Sequence, residues 1–144
     1  MAADPGAVDA AVIAALRGDS QLTGLCPGGV YYALASEGVE NFVIVDRLTH
    51  EDNRNAFATA YGETFLYLVK AVMPGTSSSN GVRPAALRIR TVLDGNETLA
   101  PEGYALQRPV EEVENIRLVE VDETNPDYRV QHWGGQYEVQ VQRL

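Results

Sequence analysis

Residues 64–72, with the sequence TFLYLVKAV, most constrain what this chain can fold into. Strand side chains alternate between the two faces of a sheet, and here both alternating sets are apolar. One set contains Phe65, Tyr67, Val69 and Ala71, and the other contains Leu66, Leu68 and Val72. A strand that is apolar on both faces must be covered twice. We therefore expect a strand inside a sheet, with its second cover supplied by the chain's own helices or by another subunit.

Two shorter apolar runs lie upstream, at residues 30–34 and 42–45, and a short polar turn separates them. Both runs predict strands of the same sheet. Residues 47–61, with the sequence RLTHEDNRNAFATAY, are polar and poorly periodic. They predict a long loop or an extended β-hairpin arm.

Apolar residues recur at helical spacing in two other segments. The first begins at the Asp4-Pro5 pair, which suits a helix start, and ends at Gly18. The second carries Pro84 in its first turn, where the missing N–H does no harm. It follows residues 75–81, GTSSSNG, whose composition predicts a flexible loop. The sequence thus predicts two main helices.

The C-terminal segment contains a Gly134-Gly135 pair between two alternating runs, residues 128–133 and 136–143. A two-residue Gly-Gly loop accepts the positive φ angles of a tight turn. The pattern therefore predicts a β-hairpin, with residues 116–121 as a neighbouring strand.

Pairing outward from that turn places His132 opposite Tyr137 on the apolar face. The same register leaves Trp133 on the polar face. Exposed tryptophan is costly, and aromatic anchors are enriched at protein interfaces. Trp133 is therefore either an interface anchor or a side chain that packs against another part of the chain.

Together these elements predict an α+β fold. We expect an antiparallel (mixed) β-sheet of about six strands, with two main helices packed on one face and a long β-hairpin arm. The length of 144 residues suits one domain that spans residues 1–144.

The formal net charge of −9 argues against a surface that grips the nucleic-acid backbone, which needs clustered Lys and Arg. It is compatible with a protein that lets DNA pass by repelling it. The single cysteine, Cys26, cannot form an internal disulfide and is expected to be a buried structural thiol in a reducing compartment. The sequence shows no signal-peptide pattern and no apolar run of transmembrane length.

Patterns of catalytic chemistry are missing from the sequence. It has no phosphate-binding glycine loop, and one cysteine with two histidines cannot form a zinc site. The serines Ser77, Ser78 and Ser79 lack the strand–turn–helix frame of a nucleophile. His50 is expected to be a solvated surface residue, and His132 a hydrogen-bonded residue at the boundary of the core. No catalytic residue, metal site or cofactor is predicted.

Taken end to end, the sequence resembles the tail terminator (tail completion) proteins of long-tailed bacteriophages and prophages. The resemblance rests on the segments LRGDSQLTGL, GVYYALASEGVENFVIVD, ETFLYLVKAV, GTSSSNG and YRVQHWGGQYEVQV. It spans nearly the whole chain and depends on the layout of these segments rather than on an invariant motif.

The resemblance implies a structural protein, not an enzyme, that forms a homo-oligomeric ring, usually a hexamer, on the end of the finished tail tube. Such a ring stops polymerisation of the tail tube protein and presents a surface to head-completion or connector proteins. Genome DNA passes through its hole without specific binding, and no membrane is involved. The protein would be assembled in the host cytoplasm and reside in the tail or neck of the virion.

Adaptable polar segments are the candidate contacts of such a ring with its neighbours or with the tube. They comprise the arm residues Arg47, His50, Glu51, Asp52, Asn53, Arg54 and Phe57, the loop residues Ser77, Ser78, Ser79 and Asn80, and Trp133. The acidic run Glu111, Glu112 and Glu114 is the candidate channel lining, because an acidic surface does not hold DNA. For a monomer, a solvated strand edge is the simpler interpretation of that run.

Two other functions fit the same sequence. The chain could be another head–tail connector or neck completion protein of the same virion, with the same fold and a different neighbour. It could also be a small enzyme or ligand-binding domain with Glu111, Glu114 or His132 in a pocket, which would require convergent polar groups in a concave site.

Overall fold

The computed structural model describes residues 4–54, 61–75, 81–121, 123–124 and 129–144, without the side chains of residues 53, 54 and 61. Three helices lie in these ranges: α1 (Gly6–Arg17), α2 (Ser20–Leu25) and α3 (Val82–Leu93). The strands there are β1 (Gly29–Tyr32), β2 (Phe42–Arg54), β3 (Tyr61–Pro74), β4 (Tyr104–Leu106), β5 (Glu111–Val121) and β6 (Arg129–Arg143). The predicted α+β class is confirmed.

All six strands belong to one mixed sheet, in which β1, β2, β3 and β6 are neighbours in that order. β4 and β5 both pair with the side of β6 that faces away from β3. β1 runs parallel to β2, and the other pairings are antiparallel. β3 and β6 therefore lie inside the sheet, whereas β1 and β5 lie at opposite edges.

The two longer helices cover one face of the sheet, as their apolar spacing predicts. Their buried residues are Val8, Val12 and Leu16 of α1 and Val82, Ala85, Ile89 and Leu93 of α3. The short helix α2 is joined to α3 through Asp19, whose carboxylate accepts the Leu22 N–H and lies 2.6 Å from Arg88 Nη2. One helical layer thus rests on one side of the sheet.

The strand predicted at residues 64–72 lies in the middle of β3. On the helix-covered face, Phe65, Tyr67, Val69 and Ala71 are 0% exposed. Complete burial of a large apolar side chain stabilises a fold by about 1.5–3 kcal/mol. On the opposite face, which we call the open face, Leu66 and Leu68 are only half-buried. Among the described residues, the helices provide one of the two covers that the sequence pattern requires.

The described residues on either side of the predicted arm, 47–54 and 61–67, lie in two paired strands. β2 and β3 pair antiparallel as far as Arg54 and Tyr61, which confirms this part of the predicted fold. A register shift leaves Leu48 as an extra residue in β2, and such bulges bend and twist a strand. The predicted contact residues Phe57, Ser77, Ser78, Ser79 and Asn80 lie outside the described residues.

The two apolar runs upstream do not form a hairpin around their polar turn. β1 pairs parallel with β2, with Gly29 opposite Phe42 and Tyr32 opposite Val45. A parallel neighbour requires the chain to cross back from the end of β1 to the start of β2. Residues 33–41 make that crossing, and its two ends, Ala33 and Asn41, have positive φ angles of 63° and 54°.

The predicted hairpin at Gly134-Gly135 is wrong, because β6 runs through both glycines as one strand. A Cβ on Gly134 would lie 2.0 Å from the Val69 carbonyl oxygen of β3. A Cβ on Gly135 would lie 2.8 Å from the Glu114 carbonyl oxygen of β5. The glycines therefore permit the close approach of strands on both sides of β6, and they do not form a turn.

Removing the turn also changes which side chains of β6 share a face. Alternation along a continuous strand puts Tyr137 and Val139 on the helix-covered face, where both are buried. His132 falls on the open face, so its predicted position beside Tyr137 in the core is wrong. Trp133 falls on the helix-covered face, not on a polar one.

Candidate assembly surfaces

A buried carboxylate holds the base of the hairpin arm. Glu63 of β3 has no exposed surface, and its oxygens lie 2.7 Å from His50 Nε2 and 2.7 Å from Arg143 Nε. Burial alone would raise the pKa of Glu63, but the hydrogen bonds and charges of Arg143 and His50 leave it below its ordinary value. This cluster connects both strands of the arm to the end of β6.

His50 and Arg47 are also packed within the chain. The His50 ring stacks on Phe65 with 4.3 Å between centroids, and the Arg47 guanidinium lies 5.9 Å from the same ring. Arg47 Nη1 lies 3.8 Å from the Asp9 carboxylate, which accepts the Tyr67 hydroxyl at 2.5 Å. His50 is therefore not the freely solvated residue that we expected, since its ring orders the arm.

The remaining described arm residues differ in their surroundings. Asp52 lies 3.6 Å from Arg143 and so belongs to the same charged base of the arm. Glu51 is exposed. Asn53 and Arg54 lie in β2, where the structure describes their backbone only. Contact with another subunit or with a tube stays a prediction for all of these residues.

The acidic run does not act as one patch. Glu111 lies opposite Glu138, and Glu114 lies opposite Gln136, which places both on the open face. Glu112 lies opposite Tyr137 on the helix-covered face, 3.1 Å from Arg90 Nε of α3. The register shift between Glu112 and Glu114 accommodates this arrangement. We call Asp46, Glu111, Glu114 and Glu138 the acidic zone of the open face.

The opposite end of the open face is apolar. One cross-strand row consists of Phe42, Val72, His132 and Leu118, from β2 to β5. Residues 33–41 pass beside this row and leave a groove of about 310 Å³, lined mainly by apolar side chains, with Ser36, Lys70 and His132 as its polar residues. This end is an apolar surface with few polar groups, distinct from the acidic zone.

His132 lies in the floor of that groove and is 8% exposed. Its Nε2 lies 3.3 Å from the Glu120 carboxylate, and neither ring nitrogen makes a hydrogen bond to the described residues. Burial lowers the pKa of His132, Lys70 lowers it further, and Glu120 opposes both effects. His132 thus lies at the boundary of the sheet with Glu120 as its polar neighbour, on the open face instead of in the core.

Trp133 packs within its own chain. Its side chain is half-buried against the core, and the Arg117 guanidinium lies 4.8 Å from the centre of its ring. Of the two interpretations that the sequence leaves open, intramolecular packing is the one observed in the described residues. A contact of Trp133 with another chain stays a prediction.

The sequence analysis missed the apolar side chains at the edges of the sheet. Val113, Leu118, Val119 and Val121 of β5 are exposed to about the same extent as one another. At the other edge, Tyr32, Leu34 and Leu48 are exposed. The adjacent pair Leu118-Val119 was the available signal, because neighbours in a strand point to opposite faces and only one face of this sheet is covered by helices.

Other kinds of site find little support in the described part of the chain. No group of three or more His, Cys, Asp and Glu residues is arranged there to hold a metal ion. Cys26 is buried, as predicted, and burial raises the pKa of its thiol to about 11. No helix in the described ranges has the length and apolar character needed to cross a membrane.

Comparisons with known proteins identify the fold. No family model matches the sequence, and no curated protein matches it either. A chain from the virion of a native gene transfer agent particle is similar in structure, with a TM-score of 0.67 and 18% identity over 95% of this chain and 96% of that one. A second solved chain aligns with a TM-score of 0.52 and 13% identity over 94% of this chain and 95% of that one. The chain therefore has, over almost its whole length, a fold that occurs in a phage-like virion.

Proposed function

We propose that this chain is a structural virion protein that caps a finished tail tube as a ring and joins the tail to the head. The likeness to a chain of a gene transfer agent virion, over 95% of this sequence, carries the virion role. The resemblance of the sequence to tail terminators specifies the cap. In this role the protein stops addition of tube subunits by occupying the end of the tube, and it needs no catalytic residue or cofactor.

The two faces of the sheet support such a role. A protein that encircles a DNA channel needs one surface toward the channel and a stable layer behind it. The helices α1 and α3 provide that layer, and the open face carries the acidic zone. Phosphates are repelled by carboxylates, so DNA would pass the acidic zone without being held. Asp46, Glu114 and Glu138 carry most of this repulsion, because Glu111 forms an ion pair with Arg108.

We therefore assign the channel to the open face. Glu111 and Glu114 keep their predicted lining role, together with Asp46 and Glu138. Glu112 does not, because it faces α3 and pairs with Arg90.

The hairpin arm is the proposed contact with the tube or with a neighbouring subunit. Its base is ordered by the cluster around Glu63. Arg54 lies beyond this base, Glu51 is an exposed residue within it, and the predicted contact Phe57 lies further along the sequence. A rigid base lowers the entropy lost when the outer part docks.

A tube-capping experiment tests this function. Purified tail tube protein is polymerised with increasing amounts of this chain, and tube lengths are measured by negative-stain electron microscopy. A cap predicts shorter tubes, each with added density at one end. Binding to head-side connector proteins without any effect on tube length would instead identify a neck protein. Failure to bind either partner would contradict the proposed function.

A further inference from the structure

The groove on the open face lies at the end of the sheet away from the acidic zone. Its floor consists of side chains from three neighbouring strands, Phe42, Val72 and His132. Its wall is the segment 33–41. Backbone hydrogen bonds of 2.8 and 2.9 Å, from the Ala33 N–H to β2 and from the Gly28 N–H to the Asn41 carbonyl, hold both ends of this wall. The fold itself thus provides a preformed groove.

The groove is longer than one cavity. The cavity of about 310 Å³ is continued by a second cavity of about 240 Å³, and the two share the lining residues Val39, Phe42, Val72 and His132. Together they span three cross-strand rows, those of Lys70, Val72 and Pro74. Rows on one face are about 6.8 Å apart, so the groove extends over about 14 Å along the strands. That length matches an extended segment of five residues, whose side chains i, i+2 and i+4 face the same way.

The two ends of the groove carry opposite charges. Lys70 lines the first cavity, and Glu40 and Glu120 line the second. Lys70 is the only lysine of the sequence, and it forms no ion pair with the described residues. Asp46 lies one row beyond Lys70 and does not line the groove. An elongated occupant therefore meets a cation at one end and carboxylates at the other.

His132 lies between these ends as a buried polar group in the floor. Neither of its ring nitrogens makes a hydrogen bond to the described residues, and a buried polar group without such a bond destabilises a fold. The charged groups that line the groove with it are Lys70 of β3, Glu120 of β5 and Glu40 of the wall. A neutral imidazole offers one donor and one acceptor, which the main chain of an extended segment can satisfy.

We infer that this groove binds an extended segment of a partner protein in which an apolar side chain lies between an acidic and a basic residue, at positions i, i+2 and i+4. Its carboxylate lies at Lys70, and its apolar side chain lies on the floor at Phe42 and Val72. Its cation lies beside Glu40 and Glu120. The inference is independent of the proposed ring, because it uses neither an oligomer nor a tube.

The chemistry of the groove favours such a segment over two other occupants. DNA would place phosphates against the carboxylates of Glu40 and Glu120, which repel them. A purely apolar ligand would cover Lys70 and His132 without giving either a polar partner. A segment with both charges satisfies each end of the groove.

A matched pair of peptides tests this inference. The probe is acetyl-Glu-Thr-Leu-Thr-Lys-amide, in which threonine favours an extended chain, and the control peptide has Gln in place of Glu. Nuclear magnetic resonance titration of isotope-labelled protein measures which backbone amides shift and the Kd. Lys70→Gln removes the cation of the groove. Arg83→Gln on α3 is the matched control, because it removes one positive charge from an exposed residue outside the groove.

We expect the probe to shift the amides of residues 33–41 and 70–72 in wild type and in Arg83→Gln. The control peptide should bind wild type roughly threefold more weakly, the effect of losing one exposed ion pair. Lys70→Gln should weaken binding of the probe by the same factor and should bind both peptides equally. Glu120→Gln tests the other end in the same way, against a peptide with Gln in place of Lys.

Other results would overturn the inference. Equal affinity of the two peptides for wild type would show that Lys70 does not select a carboxylate. Shifts confined to amides outside the groove, or no shift at millimolar peptide, would show that the groove takes no such segment. Shifts of the groove amides on dilution of the protein alone, or on addition of a short DNA duplex, would make a second copy or DNA the occupant. The tube-capping experiment bears on the proposed function alone, so the two can fail separately.

Discussion

The two faces of β3 come from one stretch of sequence and meet different environments. Phe65, Tyr67, Val69 and Ala71 are 0% exposed beneath the helices, whereas Leu66 and Leu68 are half-buried on the open face. The first face stabilises the isolated chain. The second lies next to an acidic zone and a groove. The difference shows that the described helices cover one face of the sheet only, which leaves the open face available for the proposed assembly role.

The largest effect on stability should come from adding a side-chain atom between two closely spaced strands. Gly134→Ala places a Cβ 2.0 Å from a backbone oxygen of β3, so β6 must shift away from its neighbour. We expect a loss of more than about 4 kcal/mol in the free energy of unfolding, or no folding at all. Urea denaturation measures this. Gly24→Ala in α2 is the control, since nothing lies within 4 Å of its added Cβ.

The comparison between faces is tested directly by truncation on each side of β3. Phe65→Ala should cost about 3–5 kcal/mol of stability, because it leaves a cavity under the helices and removes the ring beneath His50. Leu66→Ala should cost about 1 kcal/mol, because its side chain is already partly exposed. Equal losses in the free energy of unfolding, measured by urea denaturation, would show that both faces of β3 contribute equally to stability and would contradict this comparison.

Substitution of the buried carboxylate Glu63 should destabilise the protein less than truncation of a core side chain does. Glu63→Gln keeps the shape but leaves Arg143 and His50 without their anion, so we expect a loss of about 2 kcal/mol. The pKa of Glu63 is lowered on folding, so its stabilising effect is present above the ordinary glutamate pKa and is lost as the pH falls through the lowered value. Urea denaturation at neutral and acidic pH should show a smaller acid loss in Glu63→Gln. An unchanged acid loss would contradict this role.

The smallest effect should come from His132 on the open face. Its pKa is lowered on folding, mainly by burial, so the unfolded chain binds more protons than the folded chain between that lowered pKa and about 6.5. Stability should therefore fall as the pH drops through this window, and His132→Gln should reduce the slope. Urea denaturation of both proteins at pH 7.5 and at pH 5.5 measures the difference. A steeper slope in the variant would mean that His132 is charged in the folded state.

Much of the fold was predictable because it rests on local periodicity. The double alternation at residues 64–72 identified β3, and helical spacing identified α1 and α3. Local pattern alone predicted the wrong structure at the pair Gly134-Gly135. A glycine pair can permit a turn or a close approach of strands, and only the positions of β3 and β5 decide between them.

The surfaces were less predictable than the fold, because they depend on which strands become edges. The run Glu111 to Glu114 has one composition, yet the register shift within β5 sends Glu112 to α3 and leaves Glu111 and Glu114 on the open face. The polarity of the arm suggested solvent exposure for His50, but a carboxylate thirteen residues along the chain holds its ring. Non-local pairing decides both outcomes.

The central claim is that the open face looks into a channel while the helices form the outside of a cap. Cryo-electron microscopy of tail tubes incubated with this chain tests it most directly. We predict a closed ring of copies at one tube end, with Glu111, Glu114 and Glu138 toward the axis and α1 and α3 on the exterior. A ring whose channel is lined by the helices, or tubes that carry no ring, would contradict the account.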